Sequence, residues 1–338
     1  MSFVTPSPAR GRWETARSLD DRIKSAGYAL MAYWYYRWDW GEGAAFDGLE
    51  RAARALAWDA GLKFAENELE AELGRWREGG EANPFAPCRA MLRLHDRLPE
   101  QDVDGYLAAV CAELLSRDQP TRLFVDSLYF EITLLVEVGI AQADEKLVTH
   151  GVDKALQHLR LLQSERDGLL RHFAEHGSGA SPSVYWGRGN GWGMLGLTDL
   201  LLALPAEVEG RAELLQRYRA LAEALLDRQA PTGAWRNIVD VEPSFAESST
   251  TALVVTGLQE GAAGGLLPVG AAAAAERGWQ AIGNEIDASG HLRGVSLRPG
   301  LHSEGARYEH VPTGGVFPWG NGPYLRAAVL RLPAEPVA

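Results

Sequence analysis

The 338-residue chain carries a net charge of −12, with 46% apolar and 23% charged residues, which suits a soluble globular protein and argues against nucleic acid or an anionic membrane as its main partner. Its two cysteines, Cys88 and Cys111, are too few for a disulfide scaffold or a cysteine-based metal site and read as buried thiols in a reducing compartment. The first dozen residues lack an apolar run after their basic positions, and no stretch approaches the ~20 apolar residues of a membrane span, so the expected location is cytoplasmic.

Residues 1–18 read as an N-terminal arm and 19–338 as a single helical domain. From Leu19 an apolar pattern (Ile23, Ala26, Ala29, Leu30) gives a first helix ending in the aromatic cluster Tyr33-Trp34-Tyr35-Tyr36. Trp38-Asp39-Trp40-Gly41-Glu42-Gly43 is an aromatic and glycine-rich lead into a second helix. Amphipathic patterns follow at 60–77, 86–97 and 102–117, and Phe124-Val125-Asp126-Ser127-Leu128-Tyr129-Phe130 opens the next. A long helix is expected over 142–164, and others over 190–204, 208–229, 247–261, 269–282 and 320–332. The twelve patterns come with little strand character, so the fold class is all-α.

Three connectors resemble one another: Asp167-Gly168-Leu169-Leu170-Arg171, Thr232-Gly233-Ala234-Trp235-Arg236 and Ser289-Gly290-His291-Leu292-Arg293. They recur at intervals of 65 and 57 residues, the length of a helix pair with its connections. Each precedes a Gly- or Ser-rich helix start. Such a period means a solenoid or a closed ring, and twelve helices make the six hairpins of an (α/α)6 barrel. The connectors should gather on one rim and build the site there.

On that rim the carboxylate candidates are Asp126, Glu175, Asp240 and Glu247, with Asp39 and Glu42 further back. Asp126 stands where a helix begins, so it is either an N-cap or, amid Phe124, Tyr129 and Phe130, a carboxyl of raised pKa suited to acid catalysis. Arg188, in Trp186-Gly187-Arg188-Gly189-Asn190-Gly191-Trp192, offers a planar fork for a carboxylate or for a core ion pair. His172 and His176 lack a third nearby ligand, so no metal is expected. Tryptophans at helix ends, Trp40, Trp186, Trp192, Trp235 and Trp319, suggest stacking platforms for sugar rings.

The Trp-Gly-Arg-Gly-Asn-Gly-Trp string at 186–192, the Asp-x-Leu-Tyr-Phe helix start at Asp126 and Pro318-Trp319-Gly320-Asn321-Gly322 together resemble the unsaturated rhamnogalacturonyl and glucuronyl hydrolases of glycoside hydrolase families 105 and 88. The likeness runs from about residue 20 to 332 and implies the same (α/α)6 barrel. It implies removal of a terminal 4,5-unsaturated uronic acid from lyase-generated oligosaccharides by hydration of the C4=C5 enol ether, without metal or organic cofactor. By position, Asp126 matches an essential Asp of the family. The second lies there in a Tyr-His-Gly-Trp-Asp segment, where this chain has Arg171-His172-Phe173-Ala174-Glu175. The resemblance therefore makes Asp126 and Glu175 catalytic, and His172, Arg188, Asn190, Trp192, Trp235, Trp40 and Trp319 substrate-binding, toward an anionic oligosaccharide. With Gly-Trp-Asp replaced, three options stay open: Glu175 acts in its place, Asp126 is the principal acid and base, or the chemistry has changed.

Three other readings remain. An inverting glycosidase would use Asp126 and Glu175 as acid and base about 6.5–9.5 Å apart. A non-catalytic carbohydrate-binding homologue would have lost its acid. A helical-repeat scaffold for protein partners would be favoured if Trp192 and Trp235 packed inside the helix layer.

Overall fold

Alternation of helices that bury one face with helices buried on nearly every side builds this chain into two concentric layers. The computed structural model describes residues 18–33, 38–117, 121–300, 306–315 and 317–333. Most of the expected N-terminal arm (1–17) and the aromatic run Trp34, Tyr35 and Tyr36 lie outside the described residues. Thirteen α-helices are present among those described: α1 Leu19–Met31, α2 Trp40–Ala55, α3 Asp59–Arg77, α4 Cys88–Arg93, α5 Glu100–Ser116, α6 Thr133–Ala141, α7 Glu145–Leu162, α8 Gly187–Ala203, α9 Arg211–Leu226, α10 Ser248–Ala263, α11 Gly270–Ile282, α12 Ala306–Glu309 and α13 Pro318–Val329. A two-stranded antiparallel ribbon, β1 (Arg122–Phe124) with β2 (Phe173–Glu175), is added to the all-α plan.

The inner layer is a closed ring. Helix α2 packs on α4, α4 on α6, α6 on α8, α8 on α10, α10 on α13, and α13 returns to α2. The outer helices α1, α3, α5, α7, α9 and α11 cover it, for example α7 on α6, α9 on α8 and α11 on α10. This is the expected (α/α)6 barrel. An outer helix such as α7 buries one stripe, Leu147, Val152, Ala155, Leu159 and Leu162, whereas Ser248 to Leu258 of α10 is buried all round. A helix with no solvent face belongs in the interior. Among the described residues no helix is long and apolar enough to cross a membrane.

The three similar connectors share one construction. Gly168, Gly233 and Gly290 all have positive φ (71°, 89° and 82°), a conformation that glycine adopts without a Cβ penalty. Two residues on, the backbone N–H donates to a side chain one turn into the next inner helix. Leu170 donates to Asn190 Oδ1 at 2.8 Å, Trp235 to Thr251 Oγ1 at 3.0 Å, and Leu292 to Asn321 Oδ1 at 2.9 Å. The period seen in the sequence is thus a repeated clamp between a connector and a helix start.

Between these clamps and the far end of the barrel lies a belt of buried charge, with a contribution from every inner helix. Arg93 of α4 holds Asp47 and Glu50 of α2. Arg89 of α4 reaches Glu137 of α6 at 2.5 Å and Asp199 of α8 at 2.8 Å. Arg326 of α13 binds Asp199 and reaches Glu260 of α10 at 2.5 Å. Burial alone would push Asp47 and Asp199 upward, but the surrounding guanidiniums hold both well below the usual carboxylate range.

Candidate active site

The N-terminal ends of the inner helices share one rim: Trp40 in the first turn of α2 touches Trp319 of α13 at a ring distance of 5.0 Å and Phe130, just before α6, at 6.2 Å. A cavity of about 310 Å³ opens there. Trp40, Phe85, Phe124, Phe130 and Trp186 form its walls, and Asp126, Ser127, Glu131, His172 and Arg298 supply its polar groups.

Asp126 is placed by an irregularity. The chain leaves β1 and enters a π-helical turn, Leu128–Ile132, before α6, and such turns often accompany functional sites. The turn is fixed from behind: Thr133 Oγ1 donates to Leu128 O at 2.7 Å. Gly196 of α8 packs so closely that a Cβ there would lie 2.7 Å from Leu128 O and Tyr129 N. No side chain caps this turn, so the N-cap reading of Asp126 fails. Its Oδ2 is buried without a hydrogen-bond partner. Burial raises its pKa to about 7, more than the nearby Arg188 can offset. A carboxyl that is half protonated at neutral pH can give and then take a proton.

His172 stands beside it, Nε2 3.7 Å from Asp126 Oδ2. Burial, then the Arg188 and Arg122 charges, lower its pKa to about 3, so the ring is neutral. Its Nδ1 lies 2.8 Å from the Tyr308 hydroxyl. Assigning that O–H as donor to Nδ1 leaves Nε2–H facing Asp126. Asn237 Nδ2 donates to Tyr308 O at 2.7 Å and holds the tyrosine in place.

Several expected site residues have other tasks. Glu175 lies on β2, 39% exposed in its side chain and paired with Arg122 at 2.5 Å, and does not line the cavity. Arg188 is fully buried and is likewise absent from the cavity wall. Its terminal nitrogens donate to Ser296 O at 2.9 Å, Ser296 Oγ at 3.0 Å, Ser249 Oγ at 3.2 Å and Leu297 O at 3.0 Å, with Glu247 at 3.5 Å. Glu247 caps α10 by accepting from Thr250 N at 2.6 Å, and its remaining acceptor sites take Ser249, Thr250 and Ser296. Asn190 is a clamp, donating also to Leu170 O and Trp186 O at 2.9 Å. Trp235 donates to Leu225 O at 2.8 Å inside the helix layer. Trp192 is fully buried behind the cavity wall, 5.0 Å from both Tyr129 and Phe130. Trp319 backs Trp40 and donates to Ser296 O at 3.1 Å.

Of the expected set, Asp126, His172 and Trp40 therefore face the cavity. The substrate-binding set left out Trp186, which was read only as a stacking platform, and missed Phe124 and Arg298 of the cavity lining and Tyr308, which holds His172. Trp186 carried a usable signal, an aromatic at a glycine-rich helix start. Arg298 and Tyr308 come from the connection before α13, which has no periodicity to mark it.

The family model described as Glycosyl Hydrolase Family 88 matches residues 30–333. The chain belongs to that family. This family 88 protein is thus a glycoside hydrolase of the unsaturated glucuronyl and rhamnogalacturonyl hydrolase type. It is 22% identical to the unsaturated rhamnogalacturonyl hydrolase YesR of Bacillus subtilis, over 91% of this chain and 92% of that protein. Its fold matches a possible family 105 member from Salmonella enterica with TM-score 0.83 at 20% identity, covering 97% and 98% of the two chains. It also matches the unsaturated glucuronyl hydrolase of Bacillus sp. GL1 with TM-score 0.73 at 18% identity, covering 92% and 96%. The tryptophans buried in the helix layer, which alone would favour a scaffold, belong to the framework of this enzyme.

Proposed function

We propose that the protein removes a terminal 4,5-unsaturated uronic acid from oligosaccharides produced by a polysaccharide lyase, with Asp126 as both acid and base. The observation that carries this reading is the unpartnered Asp126 Oδ2 in an aromatic cavity, on a carboxyl of pKa about 7. Protonated Asp126 delivers its proton to C4 of the enol ether. Positive charge then develops at C5 and on the ring oxygen. Water adds at C5 as the Asp126 carboxylate takes one of its protons. The hemiketal so formed opens and releases the neighbouring sugar. One group suffices because it is regenerated by the water it deprotonates.

An inverting glycosidase needs a second free carboxylate across the bond. Glu175 is engaged by Arg122 outside the cavity, and Glu131, which does line it, is held by Arg117 at 3.0 Å. Both facts favour hydration. The test is the ultraviolet absorbance of the conjugated double bond during incubation with lyase-digested pectin, ulvan and glycosaminoglycan fragments. Loss of absorbance with wild type and none with Asp126→Asn is the expected result. Persistent absorbance with every fragment contradicts the proposal.

A further inference from the structure

We infer that Arg298 is the residue that reads the substrate carboxylate, and that buried Arg188 is the positioning residue that sets the backbone on which Arg298 stands. The inference rests on the hydrolase reading above, in which the sugar held next to Asp126 is anionic. An anion entering an aromatic cavity needs a counter-charge there. Among the described lining residues Arg298 is the one cation, since the buried His172 is neutral. Arg188 does not line the cavity, and its terminal nitrogens are taken up by two backbone carbonyls, two serine hydroxyls and Glu247.

Arg298 has the opposite situation. Its side chain is 58% exposed and meets Asp39 Oδ2 at 3.5 Å, a loose surface pair that contributes little. Asp39 is already engaged through Oδ1, which caps α2 by accepting from Trp40 N at 2.7 Å. The guanidinium therefore stands at the cavity mouth beside the Trp40 wall, with its fork free to turn onto a carboxylate. In a 4,5-unsaturated uronate the carboxylate is attached to C5, one bond from the double bond. A grip on it fixes where C4 lies relative to Asp126.

The backbone before Arg298 is held from the interior. Ser296 O and Leu297 O accept from Arg188, Ser296 N donates to Glu247 Oε1 at 2.8 Å, and Leu297 N donates to Pro312 O at 2.8 Å. The Arg188–Glu247 pair thus fixes the two residues that carry Arg298 to the mouth.

The experiment compares an unsaturated uronyl disaccharide with its methyl ester on wild type, Arg298→Gln and Arg298→Lys. Wild type should prefer the acid. Arg298→Gln should lower kcat/KM for the acid roughly 10- to 100-fold, lose the preference over the ester, and be partly rescued by lysine. An unchanged acid-to-ester preference in Arg298→Gln overturns the inference. Should wild type consume none of the disaccharides, the hydrolase reading fails separately. Calorimetric titration of the Asp126→Asn protein with glucuronate and galacturonate then decides Arg298. Binding that disappears on adding Arg298→Gln supports the role, whereas binding that persists, or no binding to either protein, overturns it.

Discussion

Two carboxylates, Asp199 in the inner belt and Asp126 at the rim, are both pushed upward by desolvation and end in opposite states. Asp199 meets Arg89 and Arg326 and stays ionised, whereas Asp126 has no bonded cation and rises to about 7. Burial alone does not set a carboxyl's chemistry; the partner does. The belt ties six inner helices together with paired charges, whereas at the rim Asp126 Oδ2 is left without a hydrogen-bond partner. Function is concentrated where the structure withholds a partner.

That contrast can be broken from either side. The largest effect is expected at Asp126: Asp126→Asn should lower kcat/KM by roughly 10²- to 10⁴-fold while circular dichroism shows the native fold. Next comes the belt. Asp199→Ala strips Arg89 and Arg326 of a shared partner and should cost about 3–5 kcal/mol in urea unfolding; a loss under about 1 kcal/mol would mean the belt is dispensable.

The third effect has the opposite sign. The folded state keeps the Asp126 proton up to about pH 7, whereas the unfolded carboxyl loses it at its ordinary value of 3.8. The folded state therefore binds more protons in that window, and stability falls as pH rises through it. Asp126→Asn should then be more stable than wild type by about 2–4 kcal/mol above pH 7, and close to it below pH 4. Equal stability of the two proteins at high pH would show that Asp126 ionises at little cost. By the same titration, wild-type kcat/KM should decline as pH rises through about 7. The smallest effect sharpens the comparison: Glu175→Gln breaks only an exposed pair, so stability should change by less than about 1 kcal/mol and turnover should hardly change. A loss comparable to that of Asp126→Asn would restore Glu175 as a catalytic group.

The barrel was legible because its signals are local. Glycines 168, 233 and 290 repeat before helix starts, and each proves to be a left-handed turn clamped by Asn190, Thr251 or Asn321. The Trp186–Trp192 string was also visible, but its orientation was not. Helix α8 begins at Gly187 and is buried on every side as far as Leu201, so Arg188, Asn190 and Trp192 are enclosed in the protein while Trp186, just before it, meets the cavity. Residue types suited to sugar binding are equally suited to clamps and core packing, and only the tertiary packing around the helix separates the two. Asp126 was readable from its aromatic surroundings. Tyr308 and Arg298 were not, because they reach the site from an aperiodic connection distant in the sequence.

The most direct test of the central claim is carbon NMR titration of the aspartate carboxyls, with Asp126 assigned by its disappearance in Asp126→Asn. The account predicts one aspartate titrating near pH 7 and absent from the variant. Titration of Asp126 near pH 4, in the ordinary carboxylate range, would contradict it and leave the cavity without its acid.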